Sequence, residues 1–248
     1  MTSSPASRPP ILRATARDRV VACYAVDPAP VAAQLPAGLV PDTREGRAFV
    51  ELVGVRLVQV RVLGLAGPGF RRVPAVELRV LVREDGASAR RGTMTIRAHV
   101  PRRLVAWGAR GLYGEPVATA SMQTMRRERD EGVRMTYRFD VAGREQRLRA
   151  TAEGPPTSPA AGTLAHFLRD RPWRYGTARD GTLLRARLER SEAALYAVDA
   201  PHVTVRWGAV YGAPWGALAD RTPTTAFFSP GGPVALRWRE RIGGTPSG

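Results

Sequence analysis

Between Pro74 and Arg83 the chain alternates strictly, with Val76, Leu78, Val80 and Val82 at one parity and Glu77, Arg79, Leu81 and Arg83 at the other. A period of two sends successive side chains to opposite faces of a pleated strand, whereas an apolar helix stripe recurs every three or four residues. Thr93–Val100 repeats the pattern, with Met94, Ile96, Ala98 and Val100 against Thr93, Thr95, Arg97 and His99. In an open, half-exposed sheet the polar parity meets water; in a sheet that curls on itself the same parity lines a lumen. Periodicity alone leaves both arrangements open.

The flanking segments fit the same plan. Residues 1–16 read as a flexible arm, 17–242 as a single domain and 243–248 as a disordered tail. Further strand patterns cover 20–26, 49–63, 118–127, 133–141, 146–152, 182–190, 195–198, 202–207, 225–228 and 234–240, with Gly54 a candidate bulge. Asp27 suits an N-cap and Pro28 a first helical position, which predicts a short helix over Asp27–Gln34. From Arg102 a helix is expected, with Leu104, Val105, Ala109, Leu112 and Tyr113 near helical spacing. Gly114 can take the left-handed conformation that ends it, Pro116 blocks its restart, and a strand begins at Val117. A third helix spans Thr163–Arg169 on Leu164, Phe167 and Leu168. The sum is a mainly β chain with a few short helices, a barrel or closed antiparallel sheet rather than an alternating α/β fold.

All 38 basic residues are arginine, against 22 Asp and Glu, for a net charge of +16. With no lysine in the chain, Schiff-base chemistry on a lysine amine is impossible. Guanidinium forks pair well with phosphate, so an Arg-rich nucleic-acid or polyanion binder is one reading. The arginines are nevertheless spread through almost every strand as on solvated faces, and the Ala, Gly, Pro and Val richness fits a general preference for Arg over Lys. Nucleic acid is therefore the less favoured partner. The single cysteine, Cys23, excludes an internal disulfide and a cysteine-built metal site; His99, His166 and His202 form no local ligand pair. No metal and no cofactor are expected. Gly64–Gly69 lacks the phosphate-loop lysine, and Ser229 lacks the Gly-x-Ser-x-Gly setting of a hydrolase nucleophile and reads as a turn residue. Residues 1–10 carry no apolar signal-peptide core and no apolar run is long enough to span a bilayer, so a soluble cytoplasmic protein without a membrane partner is expected.

Glu77 and Arg79 are the charged pair of most interest. Two residues apart on a strand, they point the same way; the arginine can hold a carboxylate bidentately, and the glutamate can move a proton where burial raises its pKa. The plainer alternative is a weak ion pair on a solvated face. Arg17, His99 and Tyr113 are companions only where the fold brings them together.

Several segments, in order, carry a family resemblance: Tyr24–Pro28 with Leu35–Leu39 and Asp42; Val73–Arg79 with Val82; Arg103–Leu104 through Gly114–Pro116 and Ala120–Met122; Gly162–Leu168; and Phe228–Gly231. On these the chain resembles the uncharacterised YqjF-like family, a branch of the acetoacetate decarboxylase-like superfamily. The resemblance implies a single cone-like β-barrel with flanking helices and an internal cavity. It places the decarboxylases' two reactive-site lysines at Val117 and Ala118, their arginine near Arg17 and their glutamate in Ala75–Glu77, while Arg79 matches the family's own arginine. Ala75 stands where the YqjF-like pattern often has Glu, which leaves Glu77 as its substitute or irrelevant. Lysine-dependent decarboxylation is excluded. The resulting expectation is a cavity for a small carboxylate or ketone, with Glu77 and Arg79 as catalytic candidates and Arg17, Glu77, Arg79, His99, Tyr113 and Val117 as ligand-binding candidates. A non-covalent lyase, isomerase or dehydratase chemistry and a purely non-catalytic interaction role both remain open, and a homo-oligomer is compatible with either. Replacing Glu77 or Arg79 is expected to abolish acid binding with little change in melting temperature.

Overall fold

The computed structural model describes residues 8–67, 71–86, 90–129, 132–191, 194–198 and 200–242, and not the side chains of Leu112, Tyr113 and Arg129. The chain opens with β1 (Leu12–Val26), α1 (Pro28–Ala32), β2 (Leu39–Pro41), β3 (Ala48–Val62), β4 (Arg72–Glu84) and β5 (Arg91–Val100). Then come α2 (Arg103–Tyr113), β6 (Val117–Thr119), β7 (Met122–Arg129), β8 (Gly132–Val141) and β9 (Arg144–Glu153). The remainder is α3 (Leu164–Arg169), β10 (Trp173–Thr177), β11 (Leu183–Arg190), β12 (Tyr196–Ala197), β13 (His202–Thr204), α4 (Trp207–Tyr211), a 3₁₀ turn at Ala213–Leu218, β14 (Thr225–Leu236) and β15 (Glu240–Ile242).

The larger sheet closes on itself. Its strands run β14-β1-β3-β4-β5-β10-β11, and β11 pairs back onto β14, making a ring of seven. The ladders are antiparallel except β5 with β10 and β5 with β6. A second sheet, β13-β9-β8-β7, stacks against it. The apolar parity of β4 packs with Met135, Tyr137 and Phe139 of the second sheet and with Trp207, Val210 and Tyr211, which lie outside the ring. The opposite parity, with Glu77 and Arg79, therefore faces the lumen. Phe49, Leu81, Phe167 and Phe227 fill one end of the lumen beneath α3; Val60, Val73, Ala98 and Val117 fill the other beneath α2. The charged residues lie between these two apolar tiers.

Several sequence expectations shift. The arm ends earlier than residue 16: Ile11 is buried, β1 starts at Leu12, and the Trp238 indole donates to the Pro9 carbonyl at 3.0 Å. Residues 1–7 and the tail at 243–248 lie outside the described residues. The first helix is only Pro28–Ala32, and the Asp27 carboxylate caps nothing because it accepts from Arg47 Nη1 at 2.6 Å. In α2 the buried side is Val105, Ala106 and Ala109, leaving Leu104 and Trp107 exposed. Gly54 answers to close approach: a Cβ there would sit 2.5 Å from the Tyr137 ring, which crosses it to donate to the Asp18 carbonyl at 2.6 Å. Ser229 is buried inside one continuous strand rather than at a turn between two. That strand passes Gly231 at φ +95°, where a Cβ would meet the Ala16 carbonyl oxygen at 2.0 Å. The strand expected over 202–207 gives way to α4 at Trp207. Among the described residues no helix is long and apolar enough to cross a membrane.

Candidate functional site

The middle tier of the lumen is a chain of alternating charges. Glu51 of β3 lies directly across from Arg79 of β4, and its Oε2 accepts from Arg79 Nε at 2.6 Å. Arg79 Nη1 reaches Glu77 Oε1 at 3.3 Å. The other side of Glu77 is held by Arg174 of β10, whose Nη1 and Nη2 donate to Oε1 and Oε2 at 3.2 and 2.9 Å. Arg174 Nη2 also donates to Thr95 Oγ1 and to Glu115 Oε1, both at 3.0 Å, and Glu115 sits on the turn after α2. Fork-to-fork pairing of this kind fixes orientation as well as charge. Burial works to raise the Glu77 pKa, but the charges of Arg174 and then Arg79, with hydrogen bonds from Arg174, outweigh it and hold the carboxyl at about 2. Glu77 is thus a fixed anion, and the proton-carrying role expected for it does not fit. Burial likewise depresses Arg174, and the Glu115 and Glu77 charges reverse that and raise it.

Two further guanidiniums enter the tier with no ion pair of their own among the described residues. Arg19 of β1 lies over the Phe227 ring, 5.7 Å from its centroid, and its Nη2 is buried with no hydrogen-bond partner. Burial, then Arg79 and Arg190, lower its pKa well below the usual range, while Glu51 and Glu77 raise it. Arg190 of β11 donates to the Arg169 carbonyl and is pushed down to about 10, by burial first and Arg79 second. The tier sets Arg19, Arg79, Arg174 and Arg190 against Glu51, Glu77 and Glu115, an excess of one positive charge. Glu51 is fully buried, and its Oε1 has no hydrogen-bond partner. An orphaned donor and an orphaned acceptor therefore share one tier, where each unpaired group costs about 1–3 kcal/mol. At the α2 end a recess of about 10 Å³, lined by Glu115, Arg174, Leu184, Ala186 and Arg239 among others, leads to Arg174.

Of the sequence candidates, Glu77 and Arg79 meet as expected, and Val117 joins the apolar tier beneath α2. Arg79 is only 4% exposed, so it is neither a solvent-facing pair nor a residue whose loss would spare stability. Arg17 is exposed, and the bulge at Asp18 (φ 51°) hands the lumen to Arg19. His99 faces the other way. Ile96 is an extra residue on β5: Leu78 pairs with Arg97 but Arg79 with Thr95, so alternation changes phase and Ala98 turns inward in place of His99. The imidazole lies between Phe139 and Tyr211 at 5.3 and 5.7 Å and is held neutral, its pKa lowered by burial and Arg97 to about 4. The Tyr113 side chain lies outside the described residues. Sequence reasoning missed Arg19, Glu51, Glu115, Arg174 and Arg190. Glu51 had a signal, as the lone charge in the apolar run Ala48–Val55; the others depend on bulges, a turn and long-range pairing.

The ring and its capping helices define a class by their architecture, the strand-rich fold of the acetoacetate decarboxylase-like enzymes. The enduracididine biosynthesis enzyme MppR superposes with a TM-score of 0.69 at 17% identity, covering 97% of this chain and 90% of that one. Acetoacetate decarboxylase from Legionella pneumophila gives 0.68 at 15%, covering 97% and 92%, and an acetoacetate decarboxylase-like enzyme from Sphingomonas wittichii gives 0.65 at 18%, covering 93% and 92%. At these identities the likeness is one of fold. Within that class the chain belongs to DUF2071, a family of uncharacterized conserved proteins (COG2071), which it matches over residues 13–233. No curated protein sequence matches it significantly.

Proposed function

We propose that the lumen binds a small organic acid bearing a second oxygen function, of the 2-oxo or 2-hydroxy acid type. The observation that carries this reading is Arg19, a half-buried cation whose Nη2 is itself buried and unused, in a tier with one positive charge too many. A carboxylate would neutralise the excess and use that donor, and a hydroxyl or enol on the neighbouring carbon would satisfy Glu51 Oε1. MppR, which shares the fold, is known in complex with pyruvate. The recess beside Glu115 and Arg174 has room for only about one water-sized group, so a three-carbon acid displaces the exposed Arg239 side chain as it enters. With apolar Val117 on the lumen and no lysine anywhere, binding is non-covalent. Any turnover runs through Glu51, whose free oxygen is the proton acceptor, with the arginines holding the developing negative charge as in lyase or isomerase chemistry. A purely non-catalytic interaction role would fit a solvent-facing Arg79, and that residue is buried.

The test is a thermal-shift series with pyruvate, acetoacetate, lactate and acetate on the wild type and on Arg19→Met. Ligand at about a hundred times its Kd stabilises by about 2.7 kcal/mol. The wild type should respond to at least one of these acids. Arg19→Met should melt at or above the wild-type temperature, because a buried Nη2 without a hydrogen-bond partner has gone, and should lose the response. A wild type blind to all four acids, or a variant that responds as the wild type does, refutes the assignment.

A further inference from the structure

Large apolar side chains in solvent are concentrated at one end of the ring. Among the described residues six such side chains stand exposed, and five of them, Leu63, Leu65, Leu104, Trp107 and Trp238, share the end that α2 caps. Leu63 and Leu65 lie just after β3, and the backbone N–H of Leu63 donates to the Ile11 carbonyl at 2.8 Å. Leu104 and Trp107 are on α2, whose Val105 and Ala106 pack in the same apolar tier as Val62. Trp238 follows β14 at the point where Leu236 pairs with Leu12 and Leu12 with Val62. Leu65, Leu104 and Trp107 are 74%, 73% and 76% exposed, so little of the chain covers them. One exposed leucine is ordinary on a protein surface; five large groups gathered from three segments are not.

Their setting is basic. Along α2, Arg103, Trp107 and Arg110 recur at three- and four-residue spacing, so two guanidiniums flank the indole on the outward face, with Leu104 one turn from it. Arg61 of β3 and Arg102 ahead of α2 are also exposed, and none of these four arginines makes an ion pair among the described residues. Residues 56–67 and 98–114 contain no Asp or Glu, and Glu115, which follows, is taken up by Arg174.

Charge and shape together select the occupant. A second copy of the chain docked through this face would set these arginines against their own kind with no carboxylate between them. A nucleic acid suits the guanidiniums and can stack on an indole, but leaves the three leucines in water. An anionic bilayer surface takes both sets of groups: the leucines and the indole enter the boundary between headgroups and acyl chains, while the arginines stay among the anionic headgroups.

We infer that the α2 end of the ring docks on an anionic bilayer surface, with Leu104 and Trp107 entering the headgroup layer beside Leu63 and Leu65, and Arg61, Arg102, Arg103 and Arg110 holding the headgroups. The expectation of no membrane partner rested on the lack of a spanning segment and of a signal peptide, and surface attachment needs neither.

Sedimentation of the full chain with extruded vesicles tests this, using phosphatidylcholine alone and phosphatidylcholine with about 30 mol % phosphatidylserine. The wild type should bind the anionic vesicles at least about tenfold more tightly than the neutral ones, with a blue shift of its tryptophan emission. Leu104→Ser with Trp107→Ser should weaken that binding by at least about tenfold, and Trp107→Phe should keep it while losing most of the shift. Arg103→Gln with Arg110→Gln should weaken it by about fivefold per guanidinium. The same charge change on the second sheet, Arg127→Gln with Arg144→Gln, should cost less than about twofold, which separates a docking face from the general pull of a net charge of +16. All six replaced residues are exposed, so every variant should melt as the wild type does. A wild type that ignores anionic vesicles, equal losses from the two arginine pairs, or an apolar pair that binds as the wild type does overturns the inference. So does a wild-type dimer that the apolar pair abolishes, or displacement from the vesicles by a short DNA duplex at equal charge.

Discussion

Glu77→Gln is the most informative single replacement, because its effect has a pH signature that a simple packing defect lacks. The amide keeps the shape and one acceptor oxygen but removes the anion between Arg79 and Arg174. The carboxyl titrates at about 2 in the folded protein against 4.5 for the unperturbed group, and each pKa unit corresponds to about 1.36 kcal/mol. The folded value is depressed, so the contribution is fully present above pH 4.5 and is lost as pH falls toward 2. Near neutral pH it comes to about 3 kcal/mol, and integrating the linkage leaves less than half of that at pH 3. For a chain of this length that lowers Tm by roughly 6–12 °C at pH 7. Urea unfolding of both proteins, followed by tryptophan fluorescence at pH 7, 5, 4 and 3, should show the difference holding from pH 7 to 5 and roughly halving by pH 3. A constant difference across the series, or one below about 0.5 kcal/mol at pH 7, would mean that Glu77 is not the anchored anion of the tier.

Gly231→Ala should destabilise by at least about 2 kcal/mol and loosen the β1–β14 ladder, since the added Cβ meets the Ala16 carbonyl at a backbone angle alanine avoids; a thermal melt within 1 °C of wild type would contradict this. Phe167→Ala should cost about 3–5 kcal/mol in chemical denaturation, because it empties the α3 end of the lumen and removes the ring against which the Arg171 and Arg91 guanidiniums stack at 4.3 and 4.5 Å. A loss under about 1 kcal/mol would show that this end of the lumen can collapse around the gap.

The β character, the position of α2 and its stop at Gly114, and the meeting of Glu77 with Arg79 were legible in local pattern, because each depends on alternation or on a single residue's conformational preference. Closure was expected from the strand-rich pattern and the family resemblance, but the pairing that makes it was not legible, since it rests on β11 pairing with both β10 and β14, a contact between segments whose patterns look alike in every other respect. The composition of the charge tier was hidden for a different reason. Parity can be counted along a strand only until a residue is added, and both β1 and β5 carry one, at Asp18 and Ile96. His99 was assigned by unbroken counting and fell on the wrong face, and Arg17, offered by the family resemblance, lies outside because the bulge gives its place to Arg19, whereas β4, without such an interruption ahead of Arg79, was read correctly. Arg174 arrived from the short strand Trp173–Thr177, which has too few residues to show a period.

The extra residue at Ile96 makes any reading of the lumen from the sequence depend on chain length as well as on side-chain identity. A homologue lacking Ile96 would keep Thr95 and Ala98 on the interior and Arg97 and His99 outside, with unbroken alternation in place of the bulge. Counting parity along that shorter chain would give the true face of every side chain, whereas the same count along this one turns the imidazole inward.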